Sequence, residues 1–207
     1  MVKLHGPMFS LGASGTIGDA VTFASWKGRA YARERVIPSN PMSGPQVGMR
    51  AMMKFLAQAW DALGAPAKAS WVLRAASSNI SPFNAYVGYN QARWRSFAGP
   101  TQDFPAAEAH AGGDAPTTTA TGGIHQAQLS IVDGATPPTS GWFIYRSDVT
   151  GFTPGYDNLV AVVHRVGTPT VFIDAGLVAG VYYYRIGGFS DDGKKGVLEA
   201  QTTATVT

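Results

Sequence analysis

The sequence predicts an α+β chain: an N-terminal β-hairpin with three helices, then a seven-stranded β-sandwich. Three observations carry this. Between Val21 and Val36, β-branched and aromatic residues alternate with small or charged ones on either side of Lys27-Gly28. Between Ser43 and Phe97, apolar residues recur three times at the i, i+3, i+4 spacing of a helix face. From Thr117 onward, short β-rich runs are separated by turn signals at regular intervals.

The hairpin is predicted over Thr16–Val36. Val21, Phe23 and Ser25 alternate with Thr22, Ala24 and Trp26, and Gly28 supplies a positive φ for a tight turn. The return strand places Arg29, Tyr31, Arg33 and Arg35 on one face, and Pro38 and Pro41 end it. The first helix is predicted from about Ser43, as N-cap, to Leu63, with Pro45 in its first turn. Its stripe is Met49, Met52, Met53, Leu56, Ala59, Trp60 and Leu63. A short second helix, 66–77, is anchored by Trp71 and Leu73. The third starts at Ser81-Pro82 and carries Phe83, Tyr86, Val87, Asn90, Trp94 and Phe97 on one side.

Gly99-Pro100, Phe104-Pro105, Ala111-Gly112-Gly113 and Ala115-Pro116 break any periodicity. The predicted organisation is therefore an anchoring domain over 1–100, a linker over 101–116 and a sandwich over 117–207. The sandwich strands are predicted near 117–121, 125–132, 141–147, 159–165, 170–174, 181–189 and 197–206.

Charge divides along the same line. Residues 1–100 hold eleven Lys/Arg and three acids, while residues 101–207 hold five Lys/Arg and ten acids. Such asymmetry predicts two parts with different partners. Cys is absent, which excludes disulfides, thiolate metal sites and a Cys nucleophile. No run approaches the roughly 18 apolar residues of a membrane span. The start Met1-Val2-Lys3-Leu4-His5-Gly6-Pro7 lacks the apolar core of a secretory signal. Synthesis in the cytoplasm and no membrane partner are the expectations.

No catalytic, cofactor or metal site is predicted. Gly12, Gly15 and Gly18 have fingerprint spacing, but a β-like segment follows them where a dinucleotide loop needs a helix. His5, His110, His125 and His164 have no second ligand at metal spacing. Ser14 and Ser140 lie outside any G-x-S-x-G. Asp174, Asp191 and Asp192 offer oxygen ligands to Ca²⁺, and Asp191-Asp192 reads more simply as a solvated turn.

The sequence favours a docking surface instead. Trp26, Lys27, Arg29, Tyr31, Arg33 and Arg35 interleave cations with aromatics. Such a face pairs with carboxylates on an acidic protein. Its density of charge is below that of dedicated nucleic-acid binders, so nucleic acid is the less favoured partner.

Residues 115–207 resemble a fibronectin type III domain. Ser140-Gly141-Trp142-Phe143-Ile144-Tyr145-Arg146-Ser147 matches its strand C, Asp174-Ala175-Gly176-Leu177 the approach to strand F, and Val181-Tyr182-Tyr183-Tyr184-Arg185-Ile186 strand F itself. The resemblance makes Tyr182 the tyrosine-corner residue and turns Tyr184 and Ile186 inward. Residues 10–105 are similar to small proteins encoded in tailed-phage structural modules. The matching residues are Ser14-Gly15-Thr16-Ile17-Gly18, Val21-Thr22-Phe23, Trp26-Lys27-Gly28-Arg29, Tyr31, Arg33, Asn40-Pro41, Ile80-Ser81-Pro82-Phe83-Asn84-Ala85-Tyr86, Asn90 and Trp94.

Together the resemblances imply a non-enzymatic virion protein, a decoration or accessory protein docked on the capsid through its basic N-terminal domain. Its partners would be the major capsid protein or neck and tail proteins, and it would act as a homo-oligomer or symmetric array. Attachment at the neck, collar or tail fibre is the second reading. A glycan-binding adhesive module, using Phe143, Tyr145 and Tyr183 against host-surface sugars, is the third.

Overall fold

The computed structural model describes residues 2–3, 15–18, 20–37, 39–40 and 42–207. It divides into two compact units, residues 1–41 and 42–207.

The first unit is a four-stranded antiparallel sheet. Its strands are β1 (Val2–Lys3), β2 (Gly15–Ile17), β3 (Val21–Trp26) and β4 (Arg29–Glu34), in the order β1-β4-β3-β2. The expected hairpin is its centre: Trp26 pairs with Arg29 and Val21 with Glu34. The turn between them has φ of +50° at Lys27 and +74° at Gly28, the positive pair that a type I′ hairpin needs. Sequence periodicity misses the two short outer strands, which have too few residues to show alternation.

The second unit has three layers. One sheet holds β5 (Thr117–Gly123), β6 (Gln126–Val132) and β9 (Thr170–Ala175), in the order β5-β6-β9. The other holds β7 (Gly141–Ser147), β8 (Leu159–His164), β10 (Gly180–Phe189), β11 (Lys195–Leu198) and β12 (Thr202–Val206). Its order is β11-β10-β7-β8, with β12 also pairing β10. Leu129, Ile131, Trp142, Ile144, Tyr184, Ile186 and Val206 fill the space between the sheets. The third layer is helical: α1 (Gly44–Ala62), α2 (Ala65–Ala76) and α3 (Pro82–Arg95). The start of α3 follows the cap the sequence offers: Ser81 Oγ accepts the Asn84 N–H at 3.2 Å, with Pro82 in the first turn, whereas Ser43 precedes α1 without a side-chain cap bond.

This layer covers the outer face of the five-stranded sheet. Phe143 and Tyr145 of β7, Leu159 and Val162 of β8 and Phe189 of β10 form one core with Met52, Phe55, Leu56, Trp71, Tyr86 and Trp94 of the helices. Hence β7 is buried on both faces from Gly141 to Tyr145. Burying one such side chain contributes about 1.5–3 kcal/mol.

Several expectations are corrected here. The division of the chain falls at 41/42, so the helices belong with the sandwich and not with the hairpin. Residues 101–116 are a packed connector. Trp71 Nε1 donates to the Gln102 carbonyl at 2.6 Å. The buried Asn90 amide donates to the Thr101 carbonyl (3.0 Å) and accepts its N–H (2.8 Å). Gly112 lies so close to β11 that a Cβ there would sit 2.3 Å from the Gly196 nitrogen, so its glycine serves close approach and not flexibility. The strand expected at 197–206 is two strands, interrupted at Glu199. Its backbone N–H donates to Ile186, and its buried carboxylate accepts from Thr118. The sandwich thus has eight strands among the described residues. Leu73, an expected anchor, is 78% exposed, and Met53 and Phe97 are also on the surface.

Candidate functional site: a basic sheet face

Strand register sorts the residues of the N-terminal sheet. Directly opposed residues share a face. One face carries Ile17, Val21, Phe23, Ser25, Ala30, Ala32 and Glu34; the other carries Thr16, Thr22, Ala24, Trp26, Arg29, Tyr31 and Arg33. The structure therefore brings Trp26, Arg29, Tyr31 and Arg33 together as expected. Lys27 sits at the turn with Nζ 4.8 Å from the Trp26 ring centre, a cation–π contact. Arg35 lies beyond the end of β4, where its N–H donates to the Ala20 carbonyl at 2.8 Å. Trp26 is 66% exposed, and no described side chain of β2, β3 or β4 is buried.

Charge reinforces the contrast between the units. Residues 1–41 hold five Lys/Arg and two acids, whereas residues 42–207 hold eleven of each. The formal net charge of +3 resides entirely in the N-terminal unit. Of the three fingerprint-spaced glycines, Gly12 lies outside the described residues. Gly15 opens β2 and Gly18 precedes β3, so the segment runs strand to strand.

The polar clusters of the second unit are built into its fold. The His110 ring and the carboxylates of Asp191 and Asp192 converge within 4.8 Å, a metal-ligand grouping that no local spacing reveals. Asp191 Oδ1, both Asp192 oxygens and His110 Nδ1 are engaged in hydrogen bonds. Asp191 Oδ1 takes the Thr139 hydroxyl and His110 Nδ1, both at 2.9 Å. Asp192 accepts from the His110 N–H at 2.6 Å and from the Ser190 hydroxyl. The Asp191 hydrogen bond, then the nearby negative charge, raises the His110 pKa. Burial alone would raise Asp192, but its bonds from Ser190, His110 and Ala109 outweigh that and lower it. Beside it, Arg93 of α3 pairs with Glu108 at 2.6 Å and donates to the carbonyls of Gly99 and Gly193. The 190–194 turn is thus a clasp for the connector and α3, not the solvated turn expected.

A second cluster joins the two sheets. Arg146 Nη1 contacts both oxygens of the buried Asp174 (2.9 and 2.7 Å), and Tyr184 Oη donates to Asp174 Oδ2 at 2.9 Å. Tyr182 Oη donates to the Val178 carbonyl four residues upstream at 3.0 Å, the bond of a tyrosine corner. The pairing expected from the strand F resemblance is therefore in register.

Lys195 is a feature that sequence reasoning missed. Its ammonium lies 5.3–5.7 Å from the ring centres of Phe97, Phe143 and Tyr145, and burial lowers its pKa. The glycan reading loses its aromatics. Phe143 and Tyr145 are 1% and 3% exposed beneath the helices, and only Tyr183 keeps partial exposure.

No family model and no curated protein matches the chain. Solved structures match part of it. A β-1,2-glucanase from Parabacteroides distasonis is 20% identical over 45% of this chain and 12% of its own, with a TM-score of 0.37. An Fn3-like protein from Clostridium thermocellum is 23% identical over 45% and 95%, with a TM-score of 0.32. The fibronectin type-III domain of human fibronectin type III domain containing protein 3 is 11% identical over 48% and 91%, with a TM-score of 0.35. The chain spans about an eighth of the glucanase. The strand order β5-β6-β9 against β8-β7-β10-β12, with the Tyr182 corner, makes residues 117–207 a fibronectin type III-like β-sandwich. Among the described residues, no helix is long and apolar enough to cross a membrane.

Proposed function

We propose that this chain is a non-enzymatic virion structural protein that docks through the basic face of its N-terminal sheet and presents residues 42–207 as a rigid accessory body. The observation that carries this reading is the N-terminal sheet itself. It buries none of its described side chains, yet holds all of the net charge. Thin sheets gain independent stability by packing a face against something else. Arg29 and Arg33 present guanidinium groups suited to carboxylates, and Trp26 and Tyr31 supply the aromatic area that dominates interface energetics. The partner is an acidic surface on a capsid subunit, and repetition around a symmetric particle multiplies a modest contact through avidity. A position at the neck or tail requires the same chemistry on a different subunit.

The test is the number of copies per purified particle for wild type and for Arg29→Glu/Arg33→Glu. Charge reversal is expected to remove most of the protein from particles while leaving the melt of the free chain unchanged, because like charges then oppose. Equal incorporation refutes the reading. Steep, salt-sensitive binding of duplex DNA by the wild type redirects it to nucleic acid.

A further inference from the structure

Strand β8 ends the five-stranded sheet, with β7 on one side and, among the described residues, no strand on the other. An unpaired edge is a template for another chain, and folds blunt it with charge, with Pro or with a cover. The run Leu159-Val160-Ala161-Val162-Val163-His164 holds no Pro and no Lys, Arg, Asp or Glu, whereas β11 at the opposite end of the sheet carries Lys195. The cover of β8 is α1, which runs alongside it in the same direction. Gly44 lies by Asp157, Gly48 by Leu159, and the Phe55 ring stacks on His164 with centroids 4.2 Å apart. The approach is close at the start, where a Cβ on Gly48 would sit 3.2 Å from the Leu159 carbonyl oxygen.

Further along, the seam opens into a groove of about 280 Å³ beside Val160–His164. Ala51, Lys54 and Gln58 form one wall, at the spacing of a single helix face, and Phe172 of β9 forms the other. Val160, Val163 and Phe172 are half-buried and make its surface apolar. The backbone here has bonds left to make. The Arg165 N–H donates to the Ser140 carbonyl at 3.0 Å. Alternation along an antiparallel pair therefore turns the N–H and C=O of Val162 and His164 away from β7. Among the described residues, no group hydrogen-bonds to them from that side. No carboxylate lines the groove, and the exposed Lys54 has no carboxylate partner among the described residues.

We propose that the open edge of β8 accepts an extended, apolar segment of a partner protein as an added strand, with a carboxylate of that segment meeting Lys54. Main-chain bonds to Val162 and His164 supply affinity, and alternate side chains of the segment, entering between α1 and Phe172, supply specificity. Pairing β8 with β8 of a second copy would satisfy the same backbone but bring a second Lys54 to the same groove, where like charges oppose. This site is independent of the attachment proposed for the N-terminal sheet. A six-residue edge is small beside the roughly 800 Å² per partner of a standard interface, so the groove recruits a segment and does not anchor the chain.

The probe is an array of blocked hexapeptides that alternate Val, Ile and Thr and carry Glu, Gln or Lys at one position, screened against the full chain. Peptides with Glu are expected to bind several-fold more tightly than their Lys counterparts. In NMR spectra of the free chain, their addition is expected to shift the amides of Val160–His164, Ala51, Lys54 and Gln58, and to slow exchange of the Val162 and His164 amides. Lys54→Glu, a change at an exposed position, is expected to reverse the preference towards Lys. Methylating alternate amides of the peptide is expected to abolish binding, a test that needs no variant. The proposal is overturned if no array peptide binds better than a Gly-Ser control, or if the shifts fall elsewhere. It is equally overturned if the Glu preference survives Lys54→Glu, or if methylated peptides bind as well. Self-association of the peptide-free chain that protects the Val162 and His164 amides assigns the edge to a second copy and also overturns it. All of these readouts use the free chain, so they stand apart from the count of copies per particle.

Discussion

Phe143→Ala separates a roofed sandwich from a free-standing one. Phe143 lies on the outer face of its sheet, where an autonomous sandwich would leave it in water, and truncation there would cost within about 0.5 kcal/mol. Here it is 1% exposed, 4.5 Å from the Phe189 ring and in one core with α1 and α3. Truncating a buried Phe costs about 3–5 kcal/mol, the lost transfer energy plus that of the cavity left behind. For a unit of this size, that lowers the melting temperature by about 6–20 °C. The assay is urea and thermal unfolding of the full chain, followed by helix circular dichroism and by tryptophan fluorescence. Trp71 and Trp94 report the helices, and Trp142 the sandwich core. Both probes should shift together. A loss below about 1 kcal/mol, or a helix transition separate from the Trp142 transition, would refute the three-layer reasoning.

Other perturbations follow from the same packing. Gly44→Ala would place a Cβ 2.2 Å from the Asp157 carbonyl and should cost about 1–3 kcal/mol, whereas Gly88→Ala meets nothing within 4 Å and should gain about 0.5–1 kcal/mol; denaturant midpoints compare the two. Tyr184→Phe removes a hydrogen bond to a charged, buried partner and should cost about 1.5–3 kcal/mol, Tyr182→Phe about 0.5–1.5, and Tyr183→Phe little, as chemical denaturation would read. Burial raises the Glu199 pKa, so its ionised form opposes folding above the ordinary carboxylate range. Glu199→Gln should therefore be at least as stable as wild type at pH 7, and melts across pH 4–7 should show the difference shrinking as pH falls.

The sequence spoke clearly wherever a pattern was local. The Lys27-Gly28 turn, the Ser81-Pro82 helix start and the Tyr182 corner each depend on a few adjacent residues, and each is found in place. What failed was long-range. Trp142-Phe143-Ile144-Tyr145 is apolar on both faces, the mark of a strand covered twice. The glycan reading needs Phe143 and Tyr145 exposed, and that leaves the helices without a surface to cover. The Gly and Pro residues of 99–116 looked like a linker because sequence does not distinguish a glycine that bends from one that admits a neighbouring backbone, as Gly112 does. The His110–Asp191–Asp192 cluster joins residues 81 positions apart, beyond the reach of any spacing rule. The basic face of Trp26, Arg29, Tyr31 and Arg33 was legible through its alternation, but the two outer strands that complete its sheet were not.

The central claim is that the N-terminal sheet supplies the attachment and residues 42–207 do not. The most direct measurement is the number of copies per purified particle when the full chain and a chain of residues 42–207 are supplied separately, alongside the melt of each free protein. The account predicts that residues 42–207 keep the cooperative transition of the full chain and are absent from particles. Incorporation of residues 42–207 at the level of the full chain would contradict it.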